Sequence, residues 1–246
     1  RARKSAAGYD LTRLMIGAEG TLGIITEITL RLHGIPEAIS SAVCSFETLK
    51  GAVDTVVQSI QIGVPVARIE ILDDAQVRAC NAYSKLDYPE KTTLLFEFHG
   101  SERYVEEQVE TVREIAGYNG GGEFLWSNLP EERNRLWKAV NQRPGAVGWT
   151  TDVCVPISRL AECIVETKED LATSSVPSTI LGHVGDGNFH VIFAIDPKRP
   201  EEMIEVEALN DRIVARALAM DGTCTGEHGI GLGSSSSSTN WVTRSK

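Results

Sequence analysis

Cysteine is scarce and scattered in this sequence. Five occur in 246 residues, at Cys44, Cys80, Cys154, Cys163 and Cys224, with an odd total and no C-x-x-C pair. That pattern argues against a disulfide framework and fits a reducing compartment better. Cys154, inside Asp152-Val153-Cys154-Val155, sits in a strand-like alternation and reads as a small buried hydrophobe. Basic residues are outnumbered, 24 Lys plus Arg against 34 Asp plus Glu, for a net charge of −10. No Lys/Arg-rich run offsets this balance, so nucleic acid and anionic membrane surfaces are poor partners. Nor does any stretch reach the roughly 18 apolar residues of a membrane span. The basic opening Arg1-Ala2-Arg3-Lys4 is followed by polar, glycine-containing sequence, so no signal-peptide core is expected there. The first residue is not Met, and residues 233–246, GSSSSSTNWVTRSK, differ in composition from everything before them. A piece of a longer protein is the expectation. What is present is otherwise ordinary: 42% hydrophobic and 24% charged residues, enough to bury a sizeable core.

Along the chain, LTRLMIGAEGTLGIITEITLRL at 11–32 runs from two glycine-rich turns into an alternating, β-branched segment at 24–30 that predicts a strand. His33-Gly34-Ile35-Pro36 then breaks it. Short strands and amphipathic helices follow. Strands are expected at 41–46, 66–72, 93–98, 123–126, 151–155, 178–184 and 189–195. Helices are expected at 49–62, with Val53, Val56, Val57 and Ile60 on one face, and at 74–84, 101–118 and 130–140. A last long helix opens at Pro200, carries Val206, Leu209, Ile213, Ala217 and Met220 on one face, and stops at Asp221-Gly222. This order gives an α+β fold, a sheet with helices packed on one face, compact from about 38 to 225. Residues 234–238 are low-complexity and are expected to be disordered.

Three of the five histidines fall in two glycine-rich segments. In Gly182-His183-Val184-Gly185-Asp186-Gly187-Asn188-Phe189-His190 the Gly-Asp-Gly-Asn stretch predicts a hairpin with a four-residue loop. In that register Val184 faces Phe189 and His183 faces His190, and opposed imidazoles on one sheet face can chelate one ion. Thr223-Cys224-Thr225-Gly226-Glu227-His228-Gly229-Ile230-Gly231 sets a carboxylate beside an imidazole in a loop that glycines allow to bend tightly. If Glu227 joins the two histidines, the set is His₂Glu with open positions, the arrangement of a catalytic zinc or similar divalent ion. His228 is then available as a base at neutral pH. His33 and His99 read as ordinary turn and strand-end residues, and Glu201-Glu202 as the first turn of a helix. The third feature, Gly17-Ala18-Glu19-Gly20-Thr21-Leu22-Gly23, lets backbone approach a ligand but lacks the G-x-G-x-x-G spacing. Taken alone it reads as a tight turn.

The segments GAEGTLGIITEITLRL, TDVCVPISRL, GHVGDGNFH and GTCTGEHGIG, in this order and at these separations, resemble the FAD-linked oxidases of the vanillyl-alcohol oxidase type. Within that family the likeness is to its mitochondrial D-2-hydroxyacid dehydrogenases, over roughly residues 5 to 233. The resemblance implies that residues 1–36 end an FAD-binding α+β domain. Residues 37–233 would be the C-terminal substrate (cap) domain, an antiparallel sheet with flanking helices, and 234–246 a disordered or aberrant tail. It further implies that Gly17, Glu19, Gly20, Thr21, Gly23, Ile24 and Ile25 line FAD, with Asn188 close to flavin and substrate. His183, His190 and Glu227 match the ligands of a divalent metal, zinc or manganese, and His228 the general base. The implied activity is oxidation of D-lactate to pyruvate by hydride transfer to flavin, in mitochondria, with electrons passing to cytochrome c or a similar carrier.

Three places depart from the family. Most of the FAD domain, with its main pyrophosphate loops, would precede residue 1, so weak FAD binding is expected of this chain alone. Val140 stands where an arginine for the substrate carboxylate is expected, and Arg143 is the nearby substitute. From Ser234 onward nothing matches. A related enzyme acting on D-2-hydroxyglutarate or glycolate is the near alternative, and a catalytically inert metal-binding α+β module the distant one.

Overall fold

The computed structural model describes residues 6, 8–85, 87–127 and 145–231. The expected helix at 130–140, Arg143 and the tail at 234–246 lie outside the described residues. The described residues fall into two units, one within 34–224 and a smaller one drawn from 8–33 and 225–231.

In the larger unit the elements follow in the order β1 (Ala38–Phe46), α2 (Leu49–Gln61), β2 (Arg68–Leu72), α3 (Asp74–Ser84), β3 (Thr92–Gly100), α4 (Glu102–Tyr118), β4 (Gly121–Ser127), β5 (Val147–Thr150), β6 (Val153–Cys154), α5 (Leu160–Leu171), β7 (Ser178–Gly182), β8 (Asn188–Ile195) and α6 (Pro200–Ala219). The short helix α1 (Leu11–Met15) belongs to the smaller unit. The sheet runs β4-β1-β3-β2-β7-β8-β5, with β6 also on β8, and every pairing is antiparallel. The fold is therefore α+β, an antiparallel sheet with flanking helices.

The core follows from strand alternation. On β3, Leu94, Phe96 and Phe98 are buried on one face, opposite Ile71 and Ile69 of β2. The alternate positions, Leu95 on β3, Leu72 on β2, Leu181 on β7 and Ile192 on β8, pack with Val77 and Cys80 of α3. Helices thus cover both faces of the sheet, whereas the sequence led to helices on one. The reason is that Leu72 and Leu181 are apolar on the side where plain alternation predicts solvent.

Two further expectations change. No strand pairs with 24–30 among the described residues, and Ile24, Ile25, Ile28 and Leu30 are all exposed. A strand exists only through ladder bonds to a neighbour, so alternation without a partner leaves no strand. Strand 151–155 shrinks to Val153–Cys154. Helix α5 was not anticipated, although Leu160, Cys163, Ile164, Thr167 and Leu171 lie on one buried stripe. Its Asp170 accepts from both Arg212 and Arg216 of α6.

One capping residue ties α5 to the sheet. Asp73, 1% exposed, caps α3 by accepting from the Gln76 amide at 2.8 Å, and receives the Lys168 ammonium of α5 at 2.6 Å. Asp73→Ala removes the cap and one of the two carboxylates on half-buried Lys168, which keeps Asp74 at 2.8 Å. The expected cost is about 2–4 kcal/mol, read as a lowered midpoint in urea with an unchanged slope. A change of about 1 kcal/mol or less, the worth of the cap alone, would show that the ion pair adds nothing to it.

Candidate active site

The hairpin β7–β8 positions the two histidines. Its register pairs Leu181 with His190 and Ile180 with Val191, and the Asn188 amide donates to the His183 carbonyl at 3.3 Å. The loop has four residues, as expected, but they are 184–187, one position earlier than the sequence suggested. A 3₁₀ turn at Val184–Asp186 ends at Gly187, whose φ of +81° only glycine adopts without strain. A Cβ at Gly187 would lie 2.1 Å from the Val155 carbonyl oxygen, so glycine is required on both counts. The shift moves the pairing by two, not one, and both imidazoles therefore stay on the same face. His183 and His190 are diagonal neighbours instead of direct opposites, with ring centroids 6.3 Å apart and ring planes at 90°.

The flanking strands place a carboxylate behind each ring. The β2–β7 register pairs Ile71 with Gly182, so the next pair outward sets Glu70 opposite His183. On the other side Thr150 pairs with Ile192 and Val153 with Phe189, so Asp152 lies opposite His190. Cross-strand residues share a face, and the contacts follow. Glu70 Oε1 meets His183 Nδ1 at 2.9 Å and Arg68 Nε at 2.8 Å. His190 Nδ1 donates to the Thr151 carbonyl at 3.0 Å, with Asp152 Oδ1 at 3.6 Å. With Nδ1 so engaged on both rings, Nε2 carries the lone pair that a metal ion needs.

The donor set fits a divalent cation. A ring nitrogen of each histidine lies within 4.8 Å of the other, against roughly 3.3 Å for two nitrogens on one tetrahedral zinc. Asn188, 5% exposed, donates through Nδ2 to Asp152 Oδ1 at 2.8 Å and to the Val153 carbonyl at 2.9 Å. Its Oδ1 is buried and has no hydrogen-bond partner among the described residues, which suits an acceptor awaiting a ligand. Beside His183 a cleft of about 310 Å³ opens between Ile60, Val64, Val66, Arg68 and Asp186, close to the lower bound for small-molecule pockets. Burial, then the nearby carboxylates of Asp152 and Asp186, push the Cys154 thiol above its ordinary range, so it is no thiolate nucleophile here.

The smaller unit gathers the other expected residues. Residues 17–23 form a turn in which the Thr21 amide and hydroxyl both donate to the Ala18 carbonyl, at 2.9 and 2.6 Å. Gly17, Glu19, Gly20 and Gly23 all have positive φ. The segment 225–231 packs against this turn: the Ile230 amide donates to the Gly17 carbonyl at 3.2 Å, and a Cβ on Gly229 would lie 2.5 Å from Gly17 Cα. Thr225 Oγ1 accepts from the Gly229 amide at 2.9 Å, shaping the loop that carries Glu227 and His228. Those two side chains are about half exposed, 3.5 Å apart. A bare-backbone turn beside a histidine loop fits the edge of a flat cofactor. Ile24 and Ile25 are exposed beside it. Sequence reasoning missed Glu70, Arg68, Thr151 and Asp152. Glu70 and Arg68 could have been suspected as charges at alternate positions of an otherwise apolar strand.

Residues 35–246 match the family described as FAD linked oxidases, C-terminal domain. The chain is 54% identical over 241 residues to "Probable D-lactate dehydrogenase, mitochondrial" of Danio rerio, covering 95% of this chain and 48% of that protein. It is 48% identical to "D-lactate dehydrogenase [cytochrome], mitochondrial" of Arabidopsis thaliana, covering 95% and 42%. A glycolate oxidase subunit of Bacillus subtilis is 33% identical, covering 93% and 50%. The chain thus spans about half the length of the relatives it matches. A solved alkyldihydroxyacetonephosphate synthase shares the fold at a TM-score of 0.62, with 20% identity over 90% of this chain and 46% of that one.

Proposed function

The chain belongs to the FAD linked oxidase C-terminal domain family, and from that premise we propose that the protein oxidises D-lactate to pyruvate in mitochondria. The observation that carries this reading is the pair of histidines on one sheet face, each with its Nδ1 held by an oxygen of a neighbouring strand. Mitochondrial D-lactate dehydrogenases among the relatives supply the substrate, the compartment and a cytochrome acceptor.

His183 and His190 would hold a divalent cation, zinc or manganese, through Nε2, with Glu227 as the third donor. FAD, when bound, would supply a hydride acceptor, and the cation would supply Lewis acidity toward a hydroxyl. His228 would accept the hydroxyl proton on its imidazole. Asn188 Oδ1 offers a buried acceptor to a hydroxyl or N–H at the reacting centre. On a chain of net charge −10 an anionic substrate needs a local cation, and the metal supplies it. The turn at 17–23, beside the His228 loop, would approach the flavin with backbone alone.

The test is stereochemical. Full-length protein containing this chain, supplied with FAD and manganese or zinc, is expected to reduce a dye with D-lactate and to be silent with L-lactate. Equal rates with both enantiomers, or a clear preference for glycolate, would overturn the assignment. Colourless protein that holds metal but never binds flavin would support an inert metal-binding module instead.

A further inference from the structure

Glu70 lies nearly buried, its side chain 7% exposed, on a face of β2 where alternation from Ile69 and Ile71 calls for a solvated or apolar residue. A buried carboxylate is costly unless it is paired and hydrogen-bonded. Here one oxygen, Oε1, takes both Arg68 Nε at 2.8 Å and His183 Nδ1 at 2.9 Å. The cross-strand register fixes this meeting, since Glu70 stands opposite His183 across β2 and β7. Arg68 compensates the carboxylate's charge, and Glu70 in turn accepts a hydrogen bond from Nδ1–H of the ring.

We propose that Glu70 is the positioning residue of the metal centre, holding His183 in the Nδ1–H tautomer and aiming Nε2 at the ion, with Arg68 as its charge partner. The proposal rests on the reading of His183 as a metal ligand. A carboxylate behind a ligating histidine raises the basicity of the ligand and fixes its orientation, and losing such a partner costs 10–100-fold in metal affinity. His190 is held by a backbone carbonyl instead, so the two ligands should differ in how they respond to substitution of their partners.

Two measurements separate this from a merely structural role. First, a long-range ¹H–¹⁵N spectrum of the metal-free protein should show His183 protonated at Nδ1, and Glu70→Leu should shift it toward Nε2 protonation. Second, manganese or zinc titrated into metal-free protein should bind about 10-fold more weakly to Glu70→Gln, which keeps the acceptor but loses the charge, and up to about 100-fold more weakly to Glu70→Leu. Thermal midpoints report folding separately. Wild-type affinity in both variants, or His183 protonated at Nε2 in the parent, overturns the proposal. If His183→Ala binds metal as well as the parent does, the reading of His183 as a ligand falls, and the role of Glu70 at the metal falls with it. If His183→Ala loses metal while both Glu70 variants retain it, the ligand reading stands and only the proposal fails.

Discussion

His183→Ala protein is expected to emerge from purification without divalent metal, and to bind added zinc or manganese more than about 100-fold more weakly than the parent. The size of the effect follows from the number of donors. Removing one of the two imidazoles that share this face leaves too few protein donors to hold a borderline cation tightly against water. The substitution is a clean one. The ring of His183 is partly exposed and bonds Glu70 across the strands. Glu70 keeps its bond to Arg68 when the ring is removed, so the fold should lose only about 1–2 kcal/mol. The comparison is with His190→Ala, where the ring is buried and the Thr151 carbonyl loses its donor. That variant should lose metal equally but unfold sooner. Elemental analysis of both, beside urea midpoints, decides the matter. Unchanged metal content in His183→Ala would sink the ligand assignment.

The site was legible in the sequence to the extent that turns are. Gly187 marks the loop because only a residue without Cβ tolerates φ +81° against the Val155 carbonyl, and the apolar runs on either side name the strands. From that much follows a hairpin with both histidines on one face. The register itself was not legible, since Gly-Asp-Gly-Asn permits loops at 184–187 or 185–188 and only packing chooses between them. Choosing the earlier loop made the histidines diagonal neighbours, yet it kept them on the same face because the pairing moved by two. Glu70 and Asp152 could not be found this way. Each acts through the strand that happens to lie next to it, β2 beside β7 and the 151–154 segment beside β8, and strand order is a long-range property. The misjudged segment at 24–30 shows the converse. Ile24, Ile28 and Leu30 have the composition of a strand, but a ladder needs a second backbone and none pairs with them among the described residues.

In protein loaded with flavin and metal, His228→Ala is expected to lower kcat for D-lactate by about 10²–10⁴-fold while metal content stays at the parent level. The loop that carries His228 depends on its neighbours: Thr225 Oγ1 bonds the Gly229 amide, Gly229 takes φ +94°, and Ile230 bonds the Gly17 carbonyl. None of these contacts uses the imidazole, whose side chain is 52% exposed. Truncation to alanine at a half-exposed position therefore leaves no buried cavity. What it removes is the imidazole proposed to take the hydroxyl proton. Hydride departure from C2 builds positive charge on carbon unless the hydroxyl proton leaves with it, so the missing base should appear in kcat more than in KM. Imidazole added to the assay should restore part of the rate, because the vacated space at a half-exposed position admits a small base. If kcat is unchanged, proton removal belongs to another group. If metal is lost together with activity, His228 is a ligand, and the division of labour between Glu227 and His228 must be reversed.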